Sequence, residues 1–578
     1  MTERTTTLAG LACAFLLGLA LRLYLLSGQI LLDDEWHGLI FLQDRTFFEV
    51  LTQINPFQNS SPLLNLYGLL CYRTIGVSEW NLRLPLLIAG SVLVVLVPFL
   101  LRNAVSRRAA IIYAFLLAIS PFLIFYSRFS RAYILTTLLV MTGLTAAFRW
   151  FGRGRPKDAV VFIACSVLAV YSHVSALAVA LAPYGAYLLA LLTKRLRRTV
   201  VVPVRGMAGF ATAHAVLLFI VMFNFIKERG KLPLNVMTFK GSDLRNILGL
   251  ITGSGYAGVV AFVLIAAALG CYLLFKRQTL LALLLCAGIV FDVGFILVLN
   301  PLGIESSAVF TRYCIAVIPI VLCFAAVGLD EGLTLLLRRI PSPQARRWLA
   351  PATIGGMTAA LVAAGPLPVI YRSPNNFTNH LAYQGNYAYG DWQRSRSNHY
   401  FPSFEITADQ MPAFYTQLAA DGSAHVIIDY PFDFADHSDL DYFYQRRHGK
   451  RVLAGYCSEA ARVRLTTDAA MGERIQTESL TLAYTRPEFF VSDAQVKSHT
   501  HFRNMVDVCD DADLRGSDAA YIVLHKVIQS IYLANGKAGN FELYDLSVPD
   551  LADHYRHVLG TPVFEDAQIV VFPISAAQ

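Results

Sequence analysis

The sequence predicts a polytopic α-helical membrane protein with about eleven transmembrane helices and a C-terminal extracytoplasmic α/β domain. Apolar residues make up 55% of the 578 residues and charged residues only 15%, where soluble proteins carry about 25% charged residues. The mean hydropathy is +0.50. A chain this long and this apolar cannot bury its hydrophobic side chains in soluble cores, which excludes an ordinary soluble enzyme.

Apolar runs long enough to cross a bilayer, about 17–25 residues each, recur along residues 1–371. We place eleven spans near residues 7–27, 84–101, 109–127, 132–148, 159–175, 176–193, 207–226, 257–275, 279–299, 313–329 and 349–368.

The distribution of basic residues predicts how these spans are oriented. Residues 1–371 contain 31 Lys and Arg, of which 19 fall in alternate loops that hold only four acids. Cytoplasmic loops carry such an excess, so the N-terminus is expected in the cytoplasm of a plasma (inner) membrane. An odd number of spans then puts residues 372–578 on the outer, periplasmic side. The first outer loop, residues 28–83, is far longer than a simple connector.

Residues 372–578 have a different composition, with a net charge of −9 against +17 for residues 1–371. Short apolar runs at 426–428, 521–524 and 569–572 predict buried strands, and residues 408–420 and 527–535 have helical patterns. A separate α/β domain is therefore expected. Cys457 and Cys509 lie in it, and both a disulfide and two unrelated thiols are compatible with the sequence.

Three consecutive acids, Asp33, Asp34 and Glu35, follow the first span, with His37 close behind. Like charges beside an apolar boundary are disfavoured by desolvation and repulsion, so such a cluster suits a metal, a cation or a general base. A solvated helix end is the alternative explanation.

Arginines occur at the predicted outer mouth, against the positive-inside tendency. Arg128 and Arg131 lie between the third and fourth spans, just before Tyr133, and Arg312 opens the tenth span after Glu305. Arginine there suits a bidentate contact to a phosphate or carboxylate, and the alternative is an interfacial anchor.

Asp292 lies inside the ninth span. An acid within a span is a candidate functional residue, and pairing with a neighbouring helix is the structural alternative. No basic stretch interleaved with aromatic residues predicts nucleic-acid binding, and no nucleotide-binding motif is present.

Together these residues predict one outer-surface site in which acids face arginines. Arginines would stabilise the leaving phosphate of a lipid-linked donor, and a carboxylate would take the proton of an acceptor hydroxyl. The lipid tail of the donor would stay in the bilayer.

Residues 7–370 resemble the GT-C superfamily of membrane glycosyltransferases, in particular the group of protein O-mannosyltransferases and lipid A aminoarabinose transferases. The resemblance rests on Asp34-Glu35 after the first span and on the long first loop with its segments 60–63 and 76–85. It also rests on the stretch from Ser120-Pro121 to Tyr133 and on Arg312-Tyr313.

The resemblance implies a polyprenyl-phosphate sugar donor, inversion at the anomeric carbon, and a hydroxyl of a glycolipid, polysaccharide or protein as acceptor. It assigns the base to Asp34, a role that Asp33 or Glu35 could share, and the donor-phosphate contacts to Arg131 and Arg312. Some relatives need a divalent metal and others do not, and carboxylates with His37 leave this open. A flippase or transporter of lipid-linked sugars and a non-catalytic envelope assembly protein are the rival functions.

Overall fold

The structure, a computed structural model, describes most of the chain. The described residues are 3–26, 31, 35, 38, 42, 45–53, 61–193, 197, 199–228, 241–301, 307–371, 411–423, 425–430, 444–445, 447–454, 519–525 and 548–574. Cys457 and Cys509 and the predicted helix 527–535 lie outside the described residues.

The chain divides into two compact units, the first comprising residues 1–26 and 37–392 and the second residues 27–36 and 393–578. The first unit is helical. Its helices are α1 (Glu3–Leu23), α2 (Phe47–Thr52), α3 (Pro62–Arg73), α4 (Glu79–Leu101), α5 (Arg107–Ile119), α6 (Pro121–Ser127), α7 (Tyr133–Arg153), α8 (Pro156–Ser172), α9 (Ala176–Leu192), α10 (Val204–Glu228), α11 (Gly241–Thr252), α12 (Ala257–Arg277), α13 (Thr279–Leu299), α14 (Ser307–Tyr313), α15 (Val317–Arg338), α16 (Pro343–Ala363) and α17 (Leu367–Ile370).

Several helices of the first unit are long and apolar enough to cross a membrane. Within the described ranges seven qualify, or eight if α5 and α6, bent by 61° at Pro121, form one broken span. The seven are α1, α4, α7, α10, α12, α13 and α15. The prediction of a multi-pass helical membrane protein is confirmed. Each of the eleven predicted spans overlaps described helix, with the span 109–127 divided between α5 and α6, while the count of eleven spans stays a prediction.

Serine caps start several of these helices. The side chains of Ser78, Ser106 and Ser342 accept hydrogen bonds from backbone N–H groups three residues on, at 3.1, 2.9 and 3.2 Å. Such caps satisfy one of the N–H groups that the first helical turn leaves without an intrahelical partner. Helix α7 ends at Arg153, and the residue that follows, Gly154, has a φ of 66°, which suits glycine best.

Two glycines let the backbones of α12 and α15 come into direct contact. A Cβ at Gly270 would overlap the carbonyl oxygen of Phe324, and one at Gly328 would overlap the carbonyl oxygen of Ala266. Small residues at a helix crossing allow backbones to touch, which is how helices associate where lipid removes the hydrophobic driving force.

The helix directions define two ends of the first unit. Helix α1 ends and α4 begins at one end, which the sequence predicts to be the outer one. Helices α4 and α7 end at the other, the predicted cytoplasmic end. These two names are kept below.

The second unit contains a five-stranded sheet with helices on both faces. Its elements are α18 (Ala413–Ala420), β1 (Val426–Tyr430), β2 (Arg451–Ala454), β3 (Ala519–His525), α19 (Val548–Val558), β4 (Phe564–Glu565) and β5 (Ile569–Pro573). The strand order is β2-β1-β3-β5-β4. Strands β2, β1 and β3 are parallel, and β5 runs antiparallel to β3 and β4.

Alternate side chains of the strands pack on the two faces of the sheet. Ile522 and Phe572 join a core with Tyr555 of α19. Val523 and Val571 join a second core with Phe414 of α18. Both faces are thus covered, which explains why the central strands read as continuous apolar runs rather than alternating ones.

Candidate functional site

Arg128 lies at the C-terminus of α6, at the predicted outer end, and its side chain is fully buried. Its Nη1 donates to the carbonyl oxygens of Tyr24 at 2.5 Å and Leu21 at 3.4 Å. The guanidinium carbon lies 5.9 Å from the ring centroid of Tyr371. Burial lowers the pKa of Arg128 to about 10, so the side chain is a cation at neutral pH.

Arg22, in the last turn of α1, is a second fully buried arginine at this end. Its Nε donates to Ser127 Oγ at 3.0 Å, and its Nη1 donates to the carbonyl oxygens of Gly18 at 2.9 Å and Ala118 at 3.4 Å. Arg22 therefore ties α1 to α5 and α6 at the point where the chain bends.

Arg83, in the first turns of α4, is also fully buried. Its positive charge contributes to the lowered pKa of Arg128, after burial and against the opposing effect of Tyr371. Burying one guanidinium group costs free energy unless it is paired or hydrogen-bonded. Three of them, Arg22, Arg83 and Arg128, are enclosed near one end of the bundle, and we call them the buried arginine group.

An aromatic cluster lies beside Arg312, also at the predicted outer end. The guanidinium carbon of Arg312 is 5.8 Å from the ring centroid of Tyr133 and 5.5 Å from that of Tyr313. The ring of Tyr133 is 4.7 Å from His173, 6.4 Å from Tyr313 and 5.0 Å from Tyr126. The structure thus brings the predicted site residues Arg312 and Tyr133 together.

Arg131 and Asp292 occupy the same region through neighbouring elements. Arg131 is half-buried in the turn between α6 and α7, where its N–H donates to the carbonyl oxygen of Phe129 at 2.7 Å. Asp292 is buried in α13, close enough to Cys314 for an electrostatic interaction between the two side chains. Cys314 follows Arg312 by two residues, so Asp292 lies near the C-terminal end of α14.

Of the remaining predicted site residues, only Glu35 is described. Asp33, Asp34, His37 and Glu305 lie outside the described residues. Glu35 is described; it is buried and belongs to the second unit. Among the residues that the structure describes, no three His, Cys, Asp or Glu side chains come together in a group that could hold a metal ion.

Comparison with solved structures identifies the fold. The chain is similar to the crystal structure of ArnT from Cupriavidus metallidurans, a lipid A aminoarabinose transferase, in the apo state and bound to undecaprenyl phosphate. Each comparison gives a TM-score of 0.51 at 14% identity and covers 100% of this chain and 99% of ArnT. The chain has the GT-C fold. The predicted fold class is confirmed.

A second similarity is weaker. The GT-C oligosaccharyltransferase of Archaeoglobus fulgidus, solved with a tethered acceptor peptide, gives a TM-score of 0.44 at 13% identity, over 92% of this chain and 70% of that one. No family model matches the sequence. A search of curated proteins likewise found no match.

Two members of the buried arginine group, Arg22 and Arg83, are not among the predicted site residues. Each lies at the end of an apolar helix, where an arginine is ordinarily an interfacial anchor. The side of the membrane is the signal that could have singled them out. Like Arg128, they lie at the predicted outer end, where the positive-inside tendency disfavours arginine.

Proposed function

We propose that this chain is an inverting membrane glycosyltransferase. It moves one sugar from a polyprenyl-phosphate donor to a hydroxyl group of a glycolipid, polysaccharide or protein, on the outer side of the plasma membrane. The observation that carries the proposal is the enclosure of Arg22, Arg83 and Arg128 at one end of a bundle of membrane-spanning helices. The similar fold of ArnT, which binds undecaprenyl phosphate, supports it.

The arginines supply what a phosphate leaving group needs. When the bond between the anomeric carbon and the phosphate oxygen breaks, negative charge develops on that oxygen. Guanidinium groups fixed in a site of low dielectric stabilise this charge far better than water does. We assign the phosphate contacts to Arg131, Arg128 and Arg312. The Tyr133 hydroxyl would be a further donor beside Arg312.

The acceptor needs a base. A carboxylate takes the proton from the acceptor hydroxyl while its oxygen forms the new bond to the anomeric carbon and the donor phosphate leaves. One displacement of this kind inverts the anomeric configuration. We assign the base to Asp34, with Asp33 or Glu35 sharing the role and His37, Glu305 and Asp292 as accessory residues. A divalent metal near these carboxylates is an open part of the proposal.

The base assignment has a direct test. Asp34→Asn removes the proton acceptor while leaving the size of the side chain unchanged. We expect transfer to fall by a factor of about 100 or more, with donor affinity retained within about twofold. Wild-type rates in this variant would reject Asp34 as the base, and the same substitution at Asp33 and at Glu35 would then identify the carboxylate responsible.

The transferase assignment is tested by following the donor. The purified chain is incubated with a polyprenyl phosphate carrying a radiolabelled sugar, with and without an envelope extract as acceptor. A transferase cleaves the donor and releases unglycosylated polyprenyl phosphate. A flippase moves the intact donor across a vesicle membrane, and an assembly protein does neither, so intact donor in every condition would overturn the proposal.

The experiment has a matched control within the chain. Arg128→Gln removes a buried cation at the predicted outer end, and Arg346→Gln removes an exposed one at the predicted cytoplasmic end. We expect only the first to lower donor cleavage. A loss of folding is checked by the elution profile and melting temperature of each variant.

A further inference from the structure

A cavity of about 560 Å³ opens at the predicted cytoplasmic end of the first unit. The end of α4 and its following turn, the end of α7, the end of α12 and the start of α13 line it, together with Thr199. The cavity is therefore built mainly by four helices of the bundle, at the end opposite to the buried arginine group.

Among the described residues that line this cavity, four are arginines and none is an aspartate or glutamate. They are Arg102, Arg149, Arg153 and Arg277. We call them the cavity arginines. Arg149 Nε lies 3.1 Å from Asp158 Oδ1, and Arg277 Nη2 lies 2.8 Å from Glu331 Oε2. These two acids lie outside the lining, so they offset two of the four positive charges and leave the cavity with an excess of two.

The remaining two arginines have no ion pair with a described residue. Arg102 stacks on Phe99, with its guanidinium carbon 3.6 Å from the ring centroid, and donates to the carbonyl oxygen of Phe99. This contact fixes the guanidinium plane at the cavity wall. Arg153 is exposed at the rim.

Helix α12 ends and α13 begins at Gln278, which lines the cavity. The N-terminus of a helix carries a partial positive charge and the C-terminus a partial negative one. The start of α13 therefore favours an anion while the end of α12 opposes it, so the excess positive charge of the cavity is that of its arginines.

We propose that this cavity binds a phosphate monoester at the predicted cytoplasmic face. An excess of two positive charges matches the dianion that such a group forms near neutral pH. Guanidinium groups recognise phosphate oxygens by paired hydrogen bonds. A positive-inside bias explains exposed arginines, but it does not explain a concave site whose lining excludes acids. The ligand source is either an anionic lipid headgroup or a soluble phosphate ester.

Two related probes separate these sources. Dioctanoyl phosphatidic acid carries the phosphate monoester on a lipid, and glycerol 3-phosphate carries it without acyl chains. Each is titrated into the purified full-length chain in detergent, and binding is followed by native mass spectrometry, with dioctanoyl phosphatidylcholine as the lipid control. Binding of phosphatidic acid alone assigns the site to a headgroup, whereas binding of both probes assigns it to the phosphate ester itself.

Variants locate the binding. The double variant Arg102→Gln/Arg153→Gln should weaken the affinity for phosphatidic acid about tenfold or more, because each charge-assisted hydrogen bond contributes strongly. The matched control, Arg338→Gln/Arg339→Gln, removes two exposed arginines outside the cavity at the same predicted end. Its affinity should stay within about twofold of wild type.

A second variant guards against misfolding as the cause. Gln278→Glu places a negative charge in the cavity lining, where it repels a bound anion. The charge favours the start of α13 and disfavours the end of α12, which meet at this residue. The two effects on the helices oppose each other, so the melting temperature should change little while the probe affinity falls. The proposal is overturned if neither phosphate probe binds at millimolar concentration, if Gln278→Glu binds as well as wild type, or if the control pair weakens binding as much as the cavity pair.

Discussion

Arg22 and Ser127 form a buried hydrogen bond between α1 and α6 at the predicted outer end. Ser127 Oγ accepts from Arg22 Nε and donates to the carbonyl oxygen of Leu123 at 2.6 Å. A Cβ at Gly90 would overlap this serine, so α4 packs closely against the same contact. The Arg22–Ser127 hydrogen bond is therefore packed directly against the backbone of α4 at Gly90.

Removing that hydroxyl should destabilise the bundle. Ser127→Ala leaves the buried Arg22 Nε without its acceptor, and a charged group that loses a hydrogen bond costs about 1–3 kcal/mol. We expect a lower melting temperature and a lower free energy of unfolding in detergent.

The matched control is Ser172→Ala. Ser172 Oγ is also buried and also donates to a carbonyl oxygen four residues before it, at 2.7 Å. Since no arginine depends on Ser172, its loss should lower the melting temperature distinctly less. Equal effects of the two substitutions would show that the Arg22–Ser127 bond contributes nothing of its own.

Arg128 gives a prediction about pH. Its pKa is lowered by burial to about 10, so the guanidinium is charged below that pH and loses its charge only above it. The affinity for a non-transferable phosphonate analogue of the donor should be constant from about pH 6 to about pH 9 and should fall as the pH rises through about 10. An inflection in affinity between pH 6 and 9 that Arg128→Gln abolishes would contradict this assignment.

At the residue scale the sequence predicts Arg128, Arg131 and Arg312 as site residues because they stand on the side where arginine is disfavoured. It does not identify Arg22 and Arg83. Their burial results from tertiary packing of α1, α4 and α6 around them, and a helix end read alone cannot distinguish an enclosed arginine from one that reaches the lipid headgroups.

Among the elements, α12 and α15 form the tightest helix pair, and Gly270 decides how close they come. Gly270→Ala would place a methyl group on the carbonyl oxygen of Phe324. Backbone atoms cannot move aside as a side chain does, so the two helices must separate. We expect a loss of about 1–3 kcal/mol in stability, measured as a lower melting temperature.

Gly355→Ala in α16 is the control for this substitution. No heavy atom lies within 4 Å of a Cβ built there, and alanine has a higher helix propensity than glycine. The melting temperature should therefore be unchanged or higher. A stable Gly270→Ala variant would contradict the close backbone contact between α12 and α15.

Element prediction succeeds where a segment is long and uniformly apolar. All eleven predicted spans overlap helices, although 109–127 is divided between α5 and α6, and β1, β3 and β5 form at the three predicted apolar runs. Strands β2 and β4 were not predicted. They are the edges of the sheet and only four and two residues long, and such short edge strands carry no continuous apolar signal.

The bend between α5 and α6 is another feature that the sequence indicates only locally. The predicted span 109–127 runs across Pro121 without a break, although proline disfavours helix at the residue before it. The 61° angle depends on how α1 and α4 pack against it, and no local pattern encodes that packing.

For the whole molecule, the placement of basic residues predicts which ends of the helices face the cytoplasm. A protease-cleavable tag before Met1 should resist cleavage in intact cells, whereas a tag after Gln578 should be cleaved once the outer side is accessible. If the N-terminal tag were cleaved in intact cells and the C-terminal tag were protected, Arg128 and Arg312 would lie at the cytoplasmic surface. This result would overturn the proposal of transfer on the outer side.

The central claim concerns where the donor phosphate binds in the whole molecule, and a cryo-electron microscopy map of the full chain with a non-transferable polyprenyl-phosphate donor tests it most directly. We predict phosphate density within hydrogen-bond distance of at least one of Arg128, Arg131 and Arg312, with the lipid tail running between the helices. Phosphate density only at the opposite end of the bundle, or away from all three arginines, would contradict the account.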